Sequence, residues 1–341
     1  MGNLTFLYEN AGEYVSLNGE ILEARHYADE VDDADKWAGG IAYEVVRIKQ
    51  GVPMFIEDYY ARLNESLHKL KIKADVKMIT LLRDINSLLG ENDAADCNIK
   101  IWAASGAGGN TNVFININKS FYPPPDYYRD GVPAGLYAYT RVNPNVKQVV
   151  AGFKEQAQAL MDSGGVFEVL LYDSTGQLTE GSRTNLFFTR GEQLFTAPDR
   201  IILKGVARKY VFAAAQRAGI EIIERPVTLD EIGISPGSLN RRRDHGKAVS
   251  DRFKPDSQNI RQLRSKKPLI FPTPGPWPGS AQEPSLPVLT VNGAFLTGTS
   301  IGALPIARIG GVKLNSTKDR IIRQIMAEYE KITQDYINAH K

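Results

Sequence analysis

The sequence contains a single cysteine, Cys97, so no disulfide bond can form within the chain. No apolar run approaches the roughly 20 residues that a membrane-spanning helix requires. The first residues carry no basic segment followed by an apolar core, and Phe6 stands where a myristoylation signal has Ser or Thr. We therefore expect a cytoplasmic protein, in a reducing compartment, without a signal peptide or a membrane span.

A large excess of charge of either sign is also missing. Lys and Arg together number 41 and Asp and Glu together number 39, which gives a formal net charge of +2. This balance gives no reason to expect nucleic acid or a membrane surface as the main partner. The chain is 43% hydrophobic and has 341 residues, which is enough for two globular domains or one large one.

The first third of the sequence alternates predicted strands and helices. Residues 41–56 predict a hairpin with "QGVP" as its turn. Residues 58–72 predict a helix, because apolar or aromatic side chains recur at the spacing of one helix face, and Asp58 is its expected N-cap. A second amphipathic helix and two strands around the glycine-rich "GAGGN" complete this part.

Proline and glycine are concentrated between residues 122 and 135, which predicts a connection between domains. A helix is predicted over residues 146–165, followed by a meander of strands, a second helix and a further strand. We expect a small N-terminal domain over residues 1–133, a connection over residues 134–145 and a larger domain over residues 146–341.

Residues 236–288 differ in composition from the rest of the chain. They are rich in Pro, Gly, Ser and Arg and show little apolar periodicity. Such a segment cannot bury enough apolar surface to offset the conformational entropy lost on ordering. We therefore expect a disordered insertion outside the folded core. We expect its basic residues to belong to a solvated loop, which is more common than a tail that binds nucleic acid or an acidic partner.

The segment "QLTEGSRTNLFF" places a carboxylate, Glu180, at the end of a predicted strand, without an adjacent cation. Gly181, Ser182 and Thr184 follow it at once. Such an acid is either a solvated turn residue or a functional carboxylate, and spacing alone favours the solvated turn residue.

Two turns rich in small residues are candidates for binding an anion such as a phosphate. In "LKGVARK", Gly205 precedes a predicted helix whose first N–H groups, at Val206 and Ala207, lie at the positive end of the helix dipole. In "TGTS", residues 297–300, a glycine permits close backbone approach and the following residues offer hydroxyl groups. Small polar residues at turns are usually just turn residues, so neither pattern identifies a site alone.

Together these segments resemble the fold type IV, or class IV, pyridoxal-phosphate enzymes: branched-chain aminotransferases, D-amino-acid aminotransferases and aminodeoxychorismate lyases. The resemblance covers about residues 14–235 and 290–341, and its most specific part is "EVLLYDSTGQLTEGSRTNLFF" followed by "LKGVARK". It implies an α/β fold of two domains, a small α/β N-terminal domain and a larger β-barrel-like domain with helices. It also implies pyridoxal 5′-phosphate in the cleft between them and a homodimer.

The resemblance also assigns roles to individual residues. Glu180 would pair with the pyridine nitrogen of the cofactor. Lys147 would form the Schiff base, because it precedes Glu180 at the family spacing, and Lys154 is the weaker alternative. Arg62, in "DYYARL", would bind the phosphate, and Tyr43 would line the substrate pocket. The remaining expected cofactor contacts are Gly205, Val206 and Ala207 in the first phosphate loop, and Gly298, Thr299 and Ser300 in the second. No metal site is expected.

Three residues depart from the family pattern. Tyr59 stands in place of a usual His, Ala207 in place of a Thr, and Gly152 in place of a Tyr found in branched-chain enzymes. The strand near residues 103–107 also lacks the arginine that D-amino-acid enzymes place there. The identity and handedness of the amino acid therefore stay open.

The expected activity is transfer of an amino group between a branched-chain-like L- or D-amino acid and a 2-oxo acid by a ping-pong mechanism. The alternatives are an aminodeoxychorismate lyase that releases pyruvate and a family relative with impaired catalysis.

Overall fold

The computed structural model describes residues 10–26, 41–106, 109–141, 143–147, 150, 152–235 and 290–341. The insertion expected at residues 236–288 lies outside the described residues.

The strands are β1 (Tyr14–Leu17), β2 (Glu20–Glu23), β3 (Ile41–Lys49), β4 (Val52–Pro53), β5 (Cys97–Ser105), β6 (Thr111–Asn118), β7 (Val132–Ala138), β8 (Glu168–Tyr172), β9 (Gln177–Gly181), β10 (Asn185–Arg190), β11 (Gln193–Thr196), β12 (Ile222–Glu224), β13 (Val227–Thr228), β14 (Gly293–Gly298), β15 (Gly302–Ile309) and β16 (Val312–Lys313). The α-helices are α1 (Ile56–Lys69), α2 (Met78–Glu91), α3 (Pro125–Asp130), α4 (Phe153–Gly164), α5 (Val206–Ala218) and α6 (Arg320–His340).

The strands form two sheets. The first has the order β2-β1-β6-β5-β3-β4, and its neighbouring strands are antiparallel. The second has the order β12-β11-β10-β14-β15-β7-β8-β9-β13, with β16 paired to β15. Strand β7 runs parallel to both of its neighbours, β8 and β15, so the second sheet is mixed. This arrangement of sheets and helices confirms the α/β class.

The change from one sheet to the other falls in the stretch rich in proline and glycine. The first sheet ends with β6, and the second begins with β7. The short helix α3 lies between them, with Pro125 in its first turn. The exact domain boundaries given above stay a prediction.

Alternation along β3 determines which side chains reach the site. Glu44, Val46 and Ile48 are buried on one side of the strand, where Leu63 of α1 packs in the same apolar core. Because successive side chains of a strand point to opposite sides, Tyr43 lies on the other side. One strand therefore supplies a buried acid to α1 and an aromatic ring to the opposite surface.

The prediction that Asp58 is the N-cap of helix α1 is wrong. The helix begins at Ile56, and the residue before it, Phe55, has a left-handed backbone conformation with φ of 55° and no side-chain cap. The Asp58 carboxylate instead accepts hydrogen bonds from Lys209 Nζ at 2.6 Å and Tyr210 OH at 2.8 Å. Asp58 therefore ties α1 to α5.

The helix expected over residues 146–165 starts later than its apolar residues suggest. Gly152, with φ of 76°, precedes the first helical residue, Phe153. The helix ends at Gly164, as predicted, and Gly165 follows in a left-handed conformation with φ of 56°. Lys147 therefore lies in a non-helical segment before α4.

None of the helices in the described part of the chain is long and apolar enough to cross a membrane.

Hydrogen bonds join the two parts of the described chain that flank residues 236–289. The Thr290 N–H and hydroxyl both donate to the Glu231 carbonyl, each at 3.1 Å. The closure cost of an insertion between two adjacent ends grows only logarithmically with its length. We therefore propose that residues 238–287 are not needed to bring the two flanks together.

We expect a variant that lacks residues 238–287 to fold with an unchanged or slightly higher thermal midpoint, since a shorter loop loses less entropy on closure. Circular dichroism of the variant and the full chain, measured side by side, tests this. A loss of cooperative unfolding would show that the segment contributes to the folded core.

Candidate functional site

Arg62 connects helix α1 to two other parts of the fold. Its Nε and Nη2 donate to the two carboxylate oxygens of Glu44 at 2.7 and 2.5 Å, and both side chains are buried. Its Nη1 donates to the Lys204 carbonyl at 2.9 Å. Because Lys204 directly precedes Gly205, Arg62 lies beside the start of α5.

The start of α5 has the features of an anion-binding helix terminus. Gly205 is the N-cap, and no side chain caps the helix there. A Cβ atom at Gly205 would collide with Asn185 Oδ1, so any other residue there would require the Asn185 side chain to move. Val206 and Ala207 are buried at the first turn. Because no side chain caps the helix, the backbone N–H groups of Val206 and Ala207 are not occupied by a capping side chain.

The loop between β14 and β15 is held by the first sheet and by α1. Gly298 ends β14, and the Thr299 hydroxyl lies 2.9 Å from the hydroxyl of Tyr59. Burial raises the pKa of Tyr59 to about 12, so it acts as a neutral hydrogen-bonding partner. The Ser300 hydroxyl accepts from Asn98 Nδ2 at 2.5 Å. The tyrosine at the usual His position thus orients a hydroxyl of the second loop.

Glu180 is a buried carboxylate with a cation beside it in space. It lies near the end of β9, and its Oε1 accepts from Arg141 Nε at 2.6 Å. Its Oε2 accepts from the Leu203 N–H at 3.2 Å. Burial raises the pKa of Glu180 to about 7, and Arg141 opposes that rise. Glu180 is therefore not a solvated turn residue, and its carboxyl group can gain or lose a proton near neutral pH.

Lys147 is half-buried in the segment that precedes α4. Its N–H donates to Ser66 Oγ at 3.4 Å, its carbonyl accepts from the Tyr43 N–H at 3.4 Å, and its Nζ lies 5.6 Å from the centre of the Tyr43 ring. Burial lowers the pKa of Lys147 to about 7, and the positive charge of Arg62 adds to this. The weaker alternative, Lys154, is exposed on the first turn of α4.

Trp102 and Lys100, both on strand β5, lie next to Tyr43 on the first sheet. The rings of Tyr43 and Trp102 have centres 5.5 Å apart. Lys100 Nζ lies 4.6 Å from the Tyr43 ring and 3.8 Å from the Trp102 ring. Burial lowers the pKa of Lys100 to about 7. Its charge also acts on Lys147, so Lys100 belongs to the surroundings of the candidate site.

Sequence reasoning missed Arg141, Glu44 and Lys100. Arg141 is distant in sequence from the carboxylate it contacts, and no local pattern joins them. Glu44 and Lys100 did leave a signal: each is a charged residue directly between two apolar or aromatic residues of a predicted strand, and such residues are rarely buried without a partner. In the described part of the chain, no cluster of His, Cys, Asp and Glu is placed to bind a metal.

The family model described as amino-transferase class IV matches residues 41–234. The match covers more than half of the chain, so the chain belongs to the class IV aminotransferase family.

Curated relatives carry the names of two activities. A Methanocaldococcus jannaschii protein, provisionally named a branched-chain-amino-acid aminotransferase, is 26% identical over 233 residues, which cover 64% of this chain and 80% of the relative. The D-alanine aminotransferase of Bacillus licheniformis is 23% identical over 228 residues, with the same coverage of 64% and 80%.

Solved structures with a similar fold include two branched-chain aminotransferases. The Thermobaculum terrenum enzyme in its pyridoxal-phosphate form has a TM-score of 0.67, with 18% identity and coverage of 96% of this chain and 95% of that one. The Thermoproteus uzoniensis enzyme with norvaline has a TM-score of 0.65, with 17% identity and 97% coverage of each chain. The expected fold type IV architecture is confirmed. The chain is an aminotransferase-family enzyme, and the cofactor of this family is pyridoxal 5′-phosphate.

The residues present fit this cofactor. It requires an amine for its aldehyde, a group that controls the charge of its ring nitrogen and a cup for its phosphate. Lys147 and Glu180 are close enough for their charges to interact, and Arg62 acts electrostatically on Lys147. Thr297 Oγ1, next to Gly298, is buried and has no hydrogen-bond partner among the described residues. An oxygen-rich ligand at this loop would give that hydroxyl an acceptor.

The lowered pKa of Lys147 predicts a characteristic reactivity in the cofactor-free protein. A pKa of about 7 leaves the amine uncharged above neutral pH, so acetylation of Lys147 by acetic anhydride should rise with a midpoint near pH 7. A short lysine peptide in the same sample, with a pKa of about 10.4, is the internal reference. Mass spectrometry of the digested protein gives both rates. Equal midpoints for Lys147 and the peptide would contradict the expectation.

Proposed function

We propose that the chain moves an amino group between an amino acid and a 2-oxo acid by a ping-pong mechanism, with a branched-chain-like L- or D-amino acid as the donor. The observation that carries this proposal is that Lys147, a lysine of lowered pKa, lies close enough to the buried carboxylate of Glu180 for their charges to interact, while that carboxylate also accepts from the Leu203 N–H, just before the uncapped start of α5. Membership of the class IV aminotransferase family supports it.

Pyridoxal 5′-phosphate supplies an aldehyde and a ring that accepts the electrons of a carbanion. In this proposal, Lys147 holds the cofactor through its amine, and Arg62 contributes positive charge at the phosphate. The phosphate is held by the backbone N–H groups of Val206 and Ala207 and by the loop of Gly298, Thr299 and Ser300. Ala207 offers no hydroxyl of its own, so its contribution is limited to the backbone.

Lys147 is also the base of the proposed reaction. With the cofactor and the donor bound, the neutral amine of Lys147 would accept the Cα proton of the donor and would then donate that proton again. The lowered pKa keeps a large fraction of the amine neutral at pH 7 and above. The same amine would donate and accept the proton when a second 2-oxo acid reacts, so one residue would serve both half-reactions.

Glu180 controls the charge of the cofactor ring. Its carboxylate would keep a proton on the ring nitrogen, so that the ring could accept the negative charge that develops when the Cα proton leaves. Arg141 and the Leu203 N–H hold its two oxygens in place, so the carboxylate need not reorient during the reaction.

The choice of donor is the least determined part of the proposal. The half-buried ring of Tyr43, which packs against buried Trp102, offers an apolar surface that suits an aliphatic side chain. The relatives are named for branched-chain and for D-alanine activity, which supports donors of either handedness. A screen of L- and D-amino acids, with 2-oxoglutarate and pyruvate as acceptors, determines the donor.

Two alternatives use the same residues and are distinguished in the same assay. An aminodeoxychorismate lyase would release pyruvate without a 2-oxo acid acceptor. An impaired relative would bind the cofactor and show neither reaction.

We also propose that the enzyme is a cytoplasmic homodimer. The single cysteine, Cys97, is buried, and burial raises the pKa of its thiol to about 11, which suits a protein without disulfide chemistry. Exposed aromatic residues, Phe121 and Tyr127, lie at the connection between the sheets and offer an apolar contact surface. Light scattering at several protein concentrations measures the assembly.

The proposed role of Lys147 predicts where the cofactor is attached. Borohydride reduction of the cofactor-loaded protein, followed by peptide mapping, should place the label on Lys147. Label on Lys154 or Lys204 would reject the assignment, and Lys147→Ala should abolish labelling while leaving the fold intact.

The proposed role of Glu180 predicts a loss of chemistry that exceeds the loss of binding. Glu180→Gln keeps the shape of the side chain but cannot hold a proton on the ring nitrogen, so kcat should fall by about 100-fold or more. Cofactor affinity, measured by equilibrium dialysis, should change much less. Near-normal turnover would show that the carboxylate has no part in the reaction.

A further inference from the structure

Glu168 opens strand β8 and is fully buried, but none of the steps above uses its carboxylate. Oε1 accepts from the Ser182 N–H at 3.2 Å and from the Ser182 hydroxyl at 2.6 Å. Oε2 accepts from the Thr184 hydroxyl at 2.9 Å and from the Arg183 N–H at 3.4 Å. A buried carboxylate with this many donors is held in one orientation, and it holds the donors in return. The turn after Glu180 is therefore wrapped around Glu168.

The turn has little room for any other arrangement. The Gly181 N–H donates to the Thr184 carbonyl at 2.8 Å and closes the turn. A Cβ atom at Gly181 would collide with the Thr184 hydroxyl and lie 3.0 Å from Glu168 Cδ. The residues "EGSRT", 180–184, therefore form a turn that packs against the Glu168 carboxylate of the neighbouring strand, β8.

Arg141 transmits the position of this turn to Glu180. Its Nη2 donates to the Ser182 carbonyl at 3.2 Å, while its Nε donates to Glu180 Oε1 at 2.6 Å. One guanidinium group is therefore held at two points, one on the turn and one on the carboxylate. A shift of the turn would move the guanidinium group away from Glu180.

We infer that Glu168 is a positioning residue, which fixes the turn and, through Ser182 and Arg141, holds Glu180 in the orientation that its task requires. This inference rests on the proposed function. Among the described residues, Arg141 and then Lys147 are the charged side chains that act most strongly on Glu180. Because Arg141 opposes the rise that burial causes in the pKa of Glu180, loosening Arg141 lets that pKa rise further. The Glu180 carboxyl then stays protonated to a higher pH.

The test is Glu168→Gln, which replaces one acceptor oxygen with an NH2 group and removes the charge. In the cofactor-free protein labelled with 13C-carboxyl glutamate, the Glu180 resonance is assigned from its absence in Glu180→Gln. We expect its titration midpoint to move to higher pH by about one unit. In the cofactor-loaded enzyme, kcat/KM at pH 7 should fall by up to about 100-fold, with its acid limb moved in the same direction.

A matched control separates positioning from general stability. Glu231 also holds a turn, because it accepts from the Thr228 N–H at 2.9 Å and pairs with Arg225 at 2.8 Å, but neither Glu231 nor Arg225 is among the groups that act most strongly on Glu180. Glu231→Gln should lower the thermal midpoint without moving the titration of Glu180. If Glu168→Gln does not fold, Ser182→Ala removes one donor to the same carboxylate and should give a smaller shift in the same direction.

An unchanged Glu180 titration in folded Glu168→Gln, or in Ser182→Ala where that variant replaces it, would overturn the inference. So would an equal shift in Glu231→Gln. The NMR readout needs neither cofactor nor turnover. A wild-type protein that fails to transaminate would therefore contradict the proposed function and leave the positioning result to be judged on its own.

Discussion

The candidate site depends on the buried ion pair between Arg62 and Glu44. Removing one member of such a pair leaves a charge without a partner, which typically costs about 3–5 kcal/mol. This pair joins β3 to α1, and the same guanidinium group reaches the carbonyl that leads into α5. One turn earlier on α1, Tyr59 contacts Thr299. A single helix therefore locates both loops that can receive an anion, and the pair holds that helix against the first sheet.

The features predicted correctly from the sequence lie in continuous segments whose residue order carries the information. Glycine before a helix marked the start of α5, and the order around Glu180 carried the family resemblance. The errors were also local. The apolar residues after Lys147 resemble helix, but Gly152, with a positive φ, delays the helix. Asp58 has the right type and place for an N-cap, but a tertiary contact with α5 uses its carboxylate instead.

Other contacts could not be read from the sequence because sheet pairing creates them. Arg141 and Glu180 meet because β7 runs parallel to β8 and β8 is antiparallel to β9. Lys100 lies opposite Val45 because β5 pairs with β3 in a register that no local motif encodes. Even so, a charged residue between two apolar or aromatic neighbours was a usable signal, which Glu168 shares. The boundaries of the domains and the expected disorder of residues 236–288 stay predictions.

The hydrogen bonds between Thr290 and Glu231 imply that this enzyme can be made from two polypeptides. A cut between residues 235 and 290 leaves the pairing of the described strands β14 and β10 intact, because the second piece still meets the first along five registered positions. The helix α6 would bring its buried Ile321, Ile322 and Ile325 to the same assembly. Folding would then become a second-order association, so activity would depend on the concentration of both fragments.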